Sequence, residues 1–300
     1  MSLSLLKKVC TKCKPSSIKT YWANIQSLAR VAGRDAIPSG ASWLSDALLK
    51  RVRAMPLNQF KRHTTAGVKA AQMYGAKRPK WSKAMGEASD RYGKIRESGK
   101  RTKREHENWP KDGYKALGAL AKTLHSEQEH LERKKTWNNR DLYHYQKYLV
   151  VLFYSKHALR GDLADVQIKK RGLNYVHKKG SQWYMHVGDH KTAKSHGAID
   201  LKLDDDVSKA LNQFLPYVRA KTDHGYLLST KRYGNRMRRV DMMKMIRETT
   251  ERYLGKRIGI QMIRVLKTTS HLEGLDEAAG LRAEMAHGPQ MQWKYVSRPK

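Results

Sequence analysis

The sequence predicts a mainly α-helical protein with a small antiparallel sheet, an α+β fold in two domains. Apolar residues recur at helical spacing through most of the chain, whereas short strand-like patterns occur only between about residues 165 and 203. A length of 300 residues suits two domains and at least one sizeable core.

The charge of the chain restricts its partners. Lys and Arg number 61 and Asp and Glu 27, which gives a formal net charge of +34. Such a field favours a polyanion: DNA, RNA or an anionic membrane face. The sequence has no run of about 18 apolar residues that could span a bilayer. We therefore expect an intracellular protein that binds nucleic acid and not a membrane.

The two cysteines, Cys10 and Cys13, form a single CxxC pair near the N-terminus. A tetrahedral zinc site needs further ligands that no second pair supplies, and a redox motif would need a βαβ context. We interpret them as free thiols in a tail and predict no metal. So few cysteines fit a reducing compartment.

The first part of the chain predicts a small helical DNA-binding domain. We expect a basic tail over 1–14 and four helices within 15–98, with breaks near Gly33, Pro56 and Gly75. Their polar faces carry mainly Lys, Arg, Gln, Asn, Ser and Thr, which contact phosphates and base edges.

The segment 99–108 has the composition of a basic linker, because it lacks an apolar period and begins with a positively charged run. A linker that lies along DNA and a merely flexible one would look alike here. The candidate DNA contacts are Lys100, Arg101, Lys103 and Arg104.

The second domain is predicted over 109–300. A helix from about 113 into the 130s precedes a second one, whose run Tyr148–Tyr154 is apolar on nearly all faces and belongs in the core. Strands are predicted at 166–168, 174–177, 183–187 and 198–203, and helices at about 205–220, 236–254, 260–272 and 275–286, before a last short one.

Several polar residues in this domain stand in informative places. Arg160 directly follows the buried helix, where a cation must be paired or must face a site; the alternative is a salt bridge to Asp162 or Asp165. Lys191 and Lys194 lie in the turn between two predicted strands, where lysines are often only solvated.

Two further sets lie nearer the C-terminus. Gln261 and Arg264, at positions i and i+3, share a helix face near its N-terminus, where anions collect. The alternative is a polar surface stripe on an amphipathic helix. His287 is followed eight residues later by Tyr295.

Together, Arg160, Lys191, Gln261-x-x-Arg264, His287 and Tyr295 resemble, in their order, the pattern of the tyrosine recombinases, the family of phage integrases and Cre-like enzymes. The resemblance covers the whole second domain, and the helical first domain resembles the family's core-binding domain. Residues 159–163 and 145–148 are most similar to integrases of large DNA viruses, virophages and related mobile elements.

The sequence departs from the family pattern at two points. Gln261 stands where the family has a histidine; Gln can hydrogen-bond a phosphate oxygen but cannot carry a proton or a positive charge. The interval from His287 to Tyr295 is one residue shorter than is usual. Neither departure removes the nucleophile.

The resemblance implies a site-specific recombinase that acts on double-stranded DNA as a homotetramer on two synapsed sites, and as a monomer or dimer when free. Tyr295 would form a 3′-phosphotyrosyl bond, Lys191 would protonate the leaving 5′ oxygen, and Arg160 and Arg264 would clamp the phosphate. Gln261 and His287 would hydrogen-bond the phosphate, or His287 would assist the tyrosine proton. Because the covalent bond conserves the phosphodiester energy, no ATP, metal or other cofactor is implied.

Three alternatives remain at this point. A non-catalytic DNA-binding relative is favoured by Gln261. A topoisomerase-like enzyme would use the same nucleophile. A basic RNA-binding protein would share the charge, but it would not explain the ordered polar set.

Overall fold

The computed structural model describes residues 3–169, 172–232, 234–271 and Met285. The chain divides into two compact units, Met1–Ser98 and Gly99–Lys300. The described part is mainly helical with one three-stranded antiparallel sheet, which confirms the predicted α+β class. None of the helices in this part combines the length and apolarity that crossing a bilayer requires.

The first unit is a helical cluster in which α4 packs against the other long helices. Trp81 is fully buried, its indole Nε1–H donates to the carbonyl of Leu44 at 3.1 Å, and its ring covers Gly67 on α4. The helices here are α1 (Leu3–Val9), α2 (Pro15–Val31), α3 (Asp46–Arg53), α4 (Leu57–Met73) and α5 (Pro79–Glu97).

The structure differs from the expected basic tail over 1–14. Helix α1 packs against α4 and α2, with Leu6 and Cys10 buried in the core of the unit. Cys10 and Cys13 are both free thiols, but Cys10 lies in this core rather than in a tail. The apolar positions i and i+4 form one narrow face, which the neighbouring lysines obscure in so short a helix.

The second unit is built around α9, whose residues Tyr148–Tyr154 are all buried, as the apolar run predicts. Asn138 caps this helix and forms a capping box with Asp141. Around it pack α7, α11 and α12. The helices are α6 (Lys103–Asn108), α7 (Lys115–Ser126), α8 (Glu129–Glu132), α9 (Asn139–Lys156), a 3₁₀ helix (Gly161–Asp165), α10 (Ala193–His196), α11 (Asp205–Lys221), α12 (Arg239–Leu254) and α13 (Ile260–Ser270).

Residues 101–109 are folded onto the second unit, which differs from the linker expected at 99–108. Thr102 and Glu105 form a capping box that begins α6. The guanidinium of Arg101 stacks 3.5 Å from the ring centre of Trp109, and Lys256 Nζ donates to the carbonyl of Glu107 at 2.9 Å. The Thr-x-x-Glu signal is present in the sequence, but the run of positive charge masks it.

The sheet has the order β1-β2-β3 and is antiparallel throughout. The turn between the first two strands contains Gly180, whose φ of +59° is a conformation that favours glycine. Three of the predicted strands are found, and the fourth, Val166–Ile168, is wrong. Gln167 makes only isolated bridges to Tyr175 and Tyr226, because the 3₁₀ helix leaves too short an extended segment. The strands are β1 (Asn174–Lys179), β2 (Gln182–Val187) and β3 (Ile199–Lys202).

We expect Gly67→Ala to destabilise the protein by about 1–3 kcal/mol, because the new Cβ would lie 2.2 Å from Trp81 Cε3 and would overpack the core. The control is Gly86→Ala on α5, where the same Cβ meets no heavy atom within 4 Å. It should be neutral or stabilise by up to about 1 kcal/mol. Urea denaturation followed by tryptophan fluorescence measures both, and equal midpoints for the two variants would contradict the packing of Trp81 on α4.

Candidate functional site

The segment that leaves α9 is held by buried polar contacts to its main chain. The hydroxyl of Tyr154 donates to the carbonyl of Arg160 at 2.8 Å. Tyr154 is fully buried, and this burial raises the pKa of its phenol well above the ordinary value. The phenol is therefore a neutral donor, and it fixes the backbone from which the Arg160 side chain projects.

The half-buried side chain of Arg160 contacts the loop between β2 and β3. Its Nη1 donates to Thr192 Oγ1 at 3.0 Å. The carboxylates of Asp162 and Asp165 instead pair with Arg239, whose Nη2 lies 2.9 Å from Asp162 Oδ1. Within the described residues, the two carboxylates proposed as salt-bridge partners of Arg160 are thus held by Arg239 and, at Asp165, also by Arg236, two residues that the sequence analysis did not single out.

Asp162 is a buried carboxylate in this neighbourhood. Burial raises the pKa of its carboxyl, while the nearby charges of Arg239 and Arg160 oppose that rise. The charge of Arg239 thus offsets part of the cost of burying the Asp162 carboxylate, while the guanidinium of Arg160 projects towards the loop.

Helix α13 packs against the segment that follows α9. Arg264 is 2% exposed, its Nε donates to the carbonyl of Ala158 at 3.2 Å, and its Nη2 reaches the carbonyl of Met285 at 3.5 Å. A Cβ placed on Gly161 would lie 3.9 Å from Ile260 Cδ1. This burial excludes the alternative of a polar surface stripe around Arg264.

Gln261 occupies a different environment from Arg264, although the two stand one helical turn apart. It is exposed and lines a cleft of about 240 Å³. Arg104, Arg247 and Arg257 line the same cleft. The expected pair on one face is therefore divided between a buried cation and an exposed amide.

The predicted position of Lys191 and Lys194 between two strands is confirmed. Both are exposed in the loop that joins β2 to β3, and Lys194 belongs to the short helix α10. Since Thr192 of this loop binds Arg160, the structure brings the loop and Arg160 together.

The C-terminal candidates, His287 and Tyr295, lie outside the described residues. Met285, two positions before His287 in the sequence, is described and buried. Its carbonyl accepts the contact from Arg264, and its sulfur lies 3.9 Å from Thr268 Oγ1.

The basic residues near α6 differ in exposure. Lys100 and Arg104 are exposed, and Lys103 is mostly exposed with a weak ion pair of 3.9 Å to Glu107. Arg101 is half-buried on Trp109 and so has a packing role that the sequence did not predict.

Lys267 is a buried cation that the sequence analysis missed. It follows Arg264 by one turn, and its Nζ donates to the carbonyl of Lys156, the last residue of α9. The available signal was a second cation at spacing i+3 in a helix whose other residues are mostly apolar.

No protein-family model matches the chain, and no curated protein matches it. Among solved structures, the chain is similar to the crystal structure of XerA recombinase, with a TM-score of 0.44 and 15% sequence identity. That match covers 99% of this chain and 92% of the other.

We expect the stability of the protein to fall between pH 6.5 and pH 4 because of His157. Burial, helped by the charge of Lys267, lowers the pKa of this imidazole to about 4, and its Nε2 accepts the N–H of Asp204 at 3.3 Å. Above pH 6.5 the ring is neutral in both states; below it the unfolded chain takes up the proton first, which removes up to about 3 kcal/mol.

The variant His157→Gln keeps an acceptor for Asp204 and removes the titration. Chemical denaturation at intervals from pH 8 to pH 4 should show a shallower loss of stability in the variant than in the wild type. Identical pH slopes for the two proteins would contradict this assignment.

Proposed function

We propose that this chain is a site-specific DNA recombinase or integrase that cuts and rejoins DNA through a covalent bond to tyrosine. The observation that carries the proposal is the convergence of Arg160, Arg264 and the Lys191 loop on the segment after α9. Arg264 binds this segment at Ala158, and Arg160 extends from it to Thr192, next to Lys191.

Two guanidinium groups joined to one short segment suit a phosphodiester. Each presents several N–H donors in a fixed fork that matches phosphate oxygens, and both keep their charge at any working pH. Charge grows on the non-bridging oxygens as the nucleophile attacks, so donors that are already in place lower the barrier; one such donor is typically worth about 3 kcal/mol. The buried contacts of Arg264 and the Thr192 contact of Arg160 limit the motion of these donors.

In the proposed reaction, the phenol of Tyr295 gives its proton to His287 while its oxygen forms a bond to phosphorus and the bond to the 5′ oxygen breaks. That oxygen leaves with its electron pair and takes a proton from Lys191, which is exposed on its loop and so accessible to bound DNA. His287 and Gln261 would hydrogen-bond the phosphate. A 5′ hydroxyl of a second strand then reverses the step, and two such exchanges pass through a Holliday junction.

The net charge of +34 supports duplex DNA as the partner. The basic residues Lys100, Lys103, Arg104 and Lys194 would contact its phosphates, as would the polar faces of the first unit. Arg101 would contribute less, because it is stacked on Trp109. We propose that the active form is a tetramer on two DNA sites and that it uses no cofactor.

One observation favours a second candidate, a DNA-binding relative that does not cleave. Gln261 is a neutral amide, and it faces a cleft lined by three arginines rather than lying beside Arg264. A topoisomerase-like activity would use the same nucleophile, and relaxation of plasmids that carry no specific site would favour it.

The test substrate is a duplex with a nick a few nucleotides to the 3′ side of the cleavage site, so that cleavage releases a short fragment. We expect the wild type to form a covalent adduct with this duplex. The loss of this fragment prevents religation, so the phosphotyrosyl product accumulates. Denaturing gel electrophoresis of labelled DNA measures the adduct.

Tyr295→Phe should abolish the adduct, since it removes the nucleophilic oxygen, while DNA binding measured by gel shift stays within about threefold of wild type. Tyr253→Phe, on α12, is the matched control and should retain cleavage. An adduct that survives Tyr295→Phe would exclude the proposed mechanism, and DNA binding without any wild-type adduct would favour the non-catalytic relative.

Salt dependence tests the proposed contact with DNA phosphates at the β2–β3 loop. We expect the affinity for duplex DNA to fall steeply with salt, and Lys194→Gln to reduce the slope of log Kd against log salt by about 1, because one phosphate contact is lost. Fluorescence anisotropy of a labelled duplex measures both slopes. Lys209→Gln, an exposed lysine on α11, is the control and should leave the slope unchanged; a flat response in the wild type would contradict a phosphate clamp.

A further inference from the structure

Hydrogen bonds hold the loop that carries Lys191 at the point where it leaves β2. The side-chain amide of Asn174 donates to the carbonyl of Asp189 at 3.1 Å and accepts the N–H of Asp189 at 2.8 Å. The N–H of Gly188 donates to the carbonyl of Leu173 at 2.7 Å. Asn174 is buried, so water does not compete for these bonds.

A hydrogen bond from His190 joins the two ends of the β2–β3 loop. This histidine is 3% exposed, and its Nε2 lies 2.8 Å from the carbonyl oxygen of Gly197. A carbonyl can only accept, so Nε2 carries the proton and donates. Gly197 has a φ of +71°, a conformation that favours glycine.

The tautomer of His190 fixes the direction of the next hydrogen bond. In a neutral ring with its proton on Nε2, Nδ1 is an acceptor, and Thr192 Oγ1 lies 3.3 Å from it. The hydroxyl of Thr192 therefore donates to His190. Its oxygen lone pairs are then available to Arg160 Nη1, which donates to it at 3.0 Å.

From this chain of hydrogen bonds we infer that Thr192 is a positioning residue for the phosphate-binding guanidinium of Arg160, with His190 orienting its hydroxyl. The inference rests on the proposed function. Because Asp162 is held by Arg239, and Asp165 by Arg239 and Arg236, a neutral hydroxyl orients Arg160 and leaves its charge for the substrate. A carboxylate in the same place would neutralise that charge.

The hydrogen bond between Arg160 and Thr192 also links the proposed phosphate clamp to the proposed general acid. Thr192 follows Lys191 directly, so the residue that orients the phosphate clamp belongs to the loop that carries the proposed general acid. The guanidinium and the loop are thus held at one mutual distance before DNA binds, which lowers the entropy lost on reaching the reactive geometry.

The test compares Thr192→Val, which removes the hydroxyl and keeps the shape, with Thr192→Ser, which keeps the hydroxyl. We expect Val to slow adduct formation on the nicked duplex by about tenfold, as one hydrogen bond to a charged group implies, and Ser to stay within about threefold of wild type. Thermal melting checks that the variants are folded, and Thr192→Ala replaces Val if Val is not. Equal rates for Val and wild type would overturn the inference.

A second substrate separates the phosphate clamp from the general acid. A duplex with sulfur in place of the bridging 5′ oxygen has a leaving group that departs without protonation, so it no longer needs Lys191. If Thr192 acts through Arg160, the Val variant stays about tenfold slower on this substrate. If the sulfur restores the wild-type rate, Thr192 acts through Lys191 and the inference is wrong.

A measurement without DNA distinguishes failure of this inference from failure of the proposed function. In protein labelled with ¹⁵N and ¹³C at arginine, NMR reports rotation of each guanidinium about its Cζ–Nε bond, and Arg160→Lys assigns the Arg160 signal. Faster Arg160 rotation in Val but not in Ser supports the positioning role, even if the wild type forms no adduct and the recombinase proposal fails. Unchanged rotation in Val overturns the positioning role, even if the adduct forms.

Discussion

Two buried cations of α13 and one buried phenol hold the end of α9, and the rest of the candidate site depends on them. Lys267 binds the carbonyl of Lys156, Arg264 that of Ala158, and Tyr154 that of Arg160. Of these three acceptors only Lys156 belongs to α9, whose last carbonyls have no partner within the helix and form the negative end of its dipole; Ala158 and Arg160 lie in the segment after it. A buried cation is costly unless it is paired and hydrogen-bonded, and these carbonyls provide such partners without a carboxylate.

This arrangement places the candidate side chains in order outward from the core. Arg264 is almost fully buried, Arg160 is half-buried and Lys191 is exposed. Positive groups set at graded depth around one segment suit a negatively charged ligand that reaches the site from solvent. The ligand would meet the exposed lysine first and the oriented guanidinium groups later, where the lower dielectric strengthens each contact.

Arg239 pairs with the two carboxylates that stand nearest to Arg160 in the sequence. It forms an ion pair with Asp162 and, together with Arg236, holds Asp165, so both carboxylates that could pair with Arg160 already have a cation. Burial raises the pKa of Asp162, and the charge of Arg239 opposes that rise. With both carboxylates paired in this way, Arg160 donates to the hydroxyl of Thr192 instead.

The sequence by itself determined the class of the fold, the long helices, three strands and the placement of Lys191 in the β2–β3 loop, because periodicity and turn residues are local signals. It missed α1 and α6, whose apolar faces and caps are short and lie among lysines and arginines. Only the tertiary structure decided that Arg264 is buried while Gln261 is exposed, and that Thr192 is the partner of Arg160. Residues 32 positions apart meet in that hydrogen bond, and such contacts depend on how α9, α13 and the sheet pack, which spacing along one element does not encode.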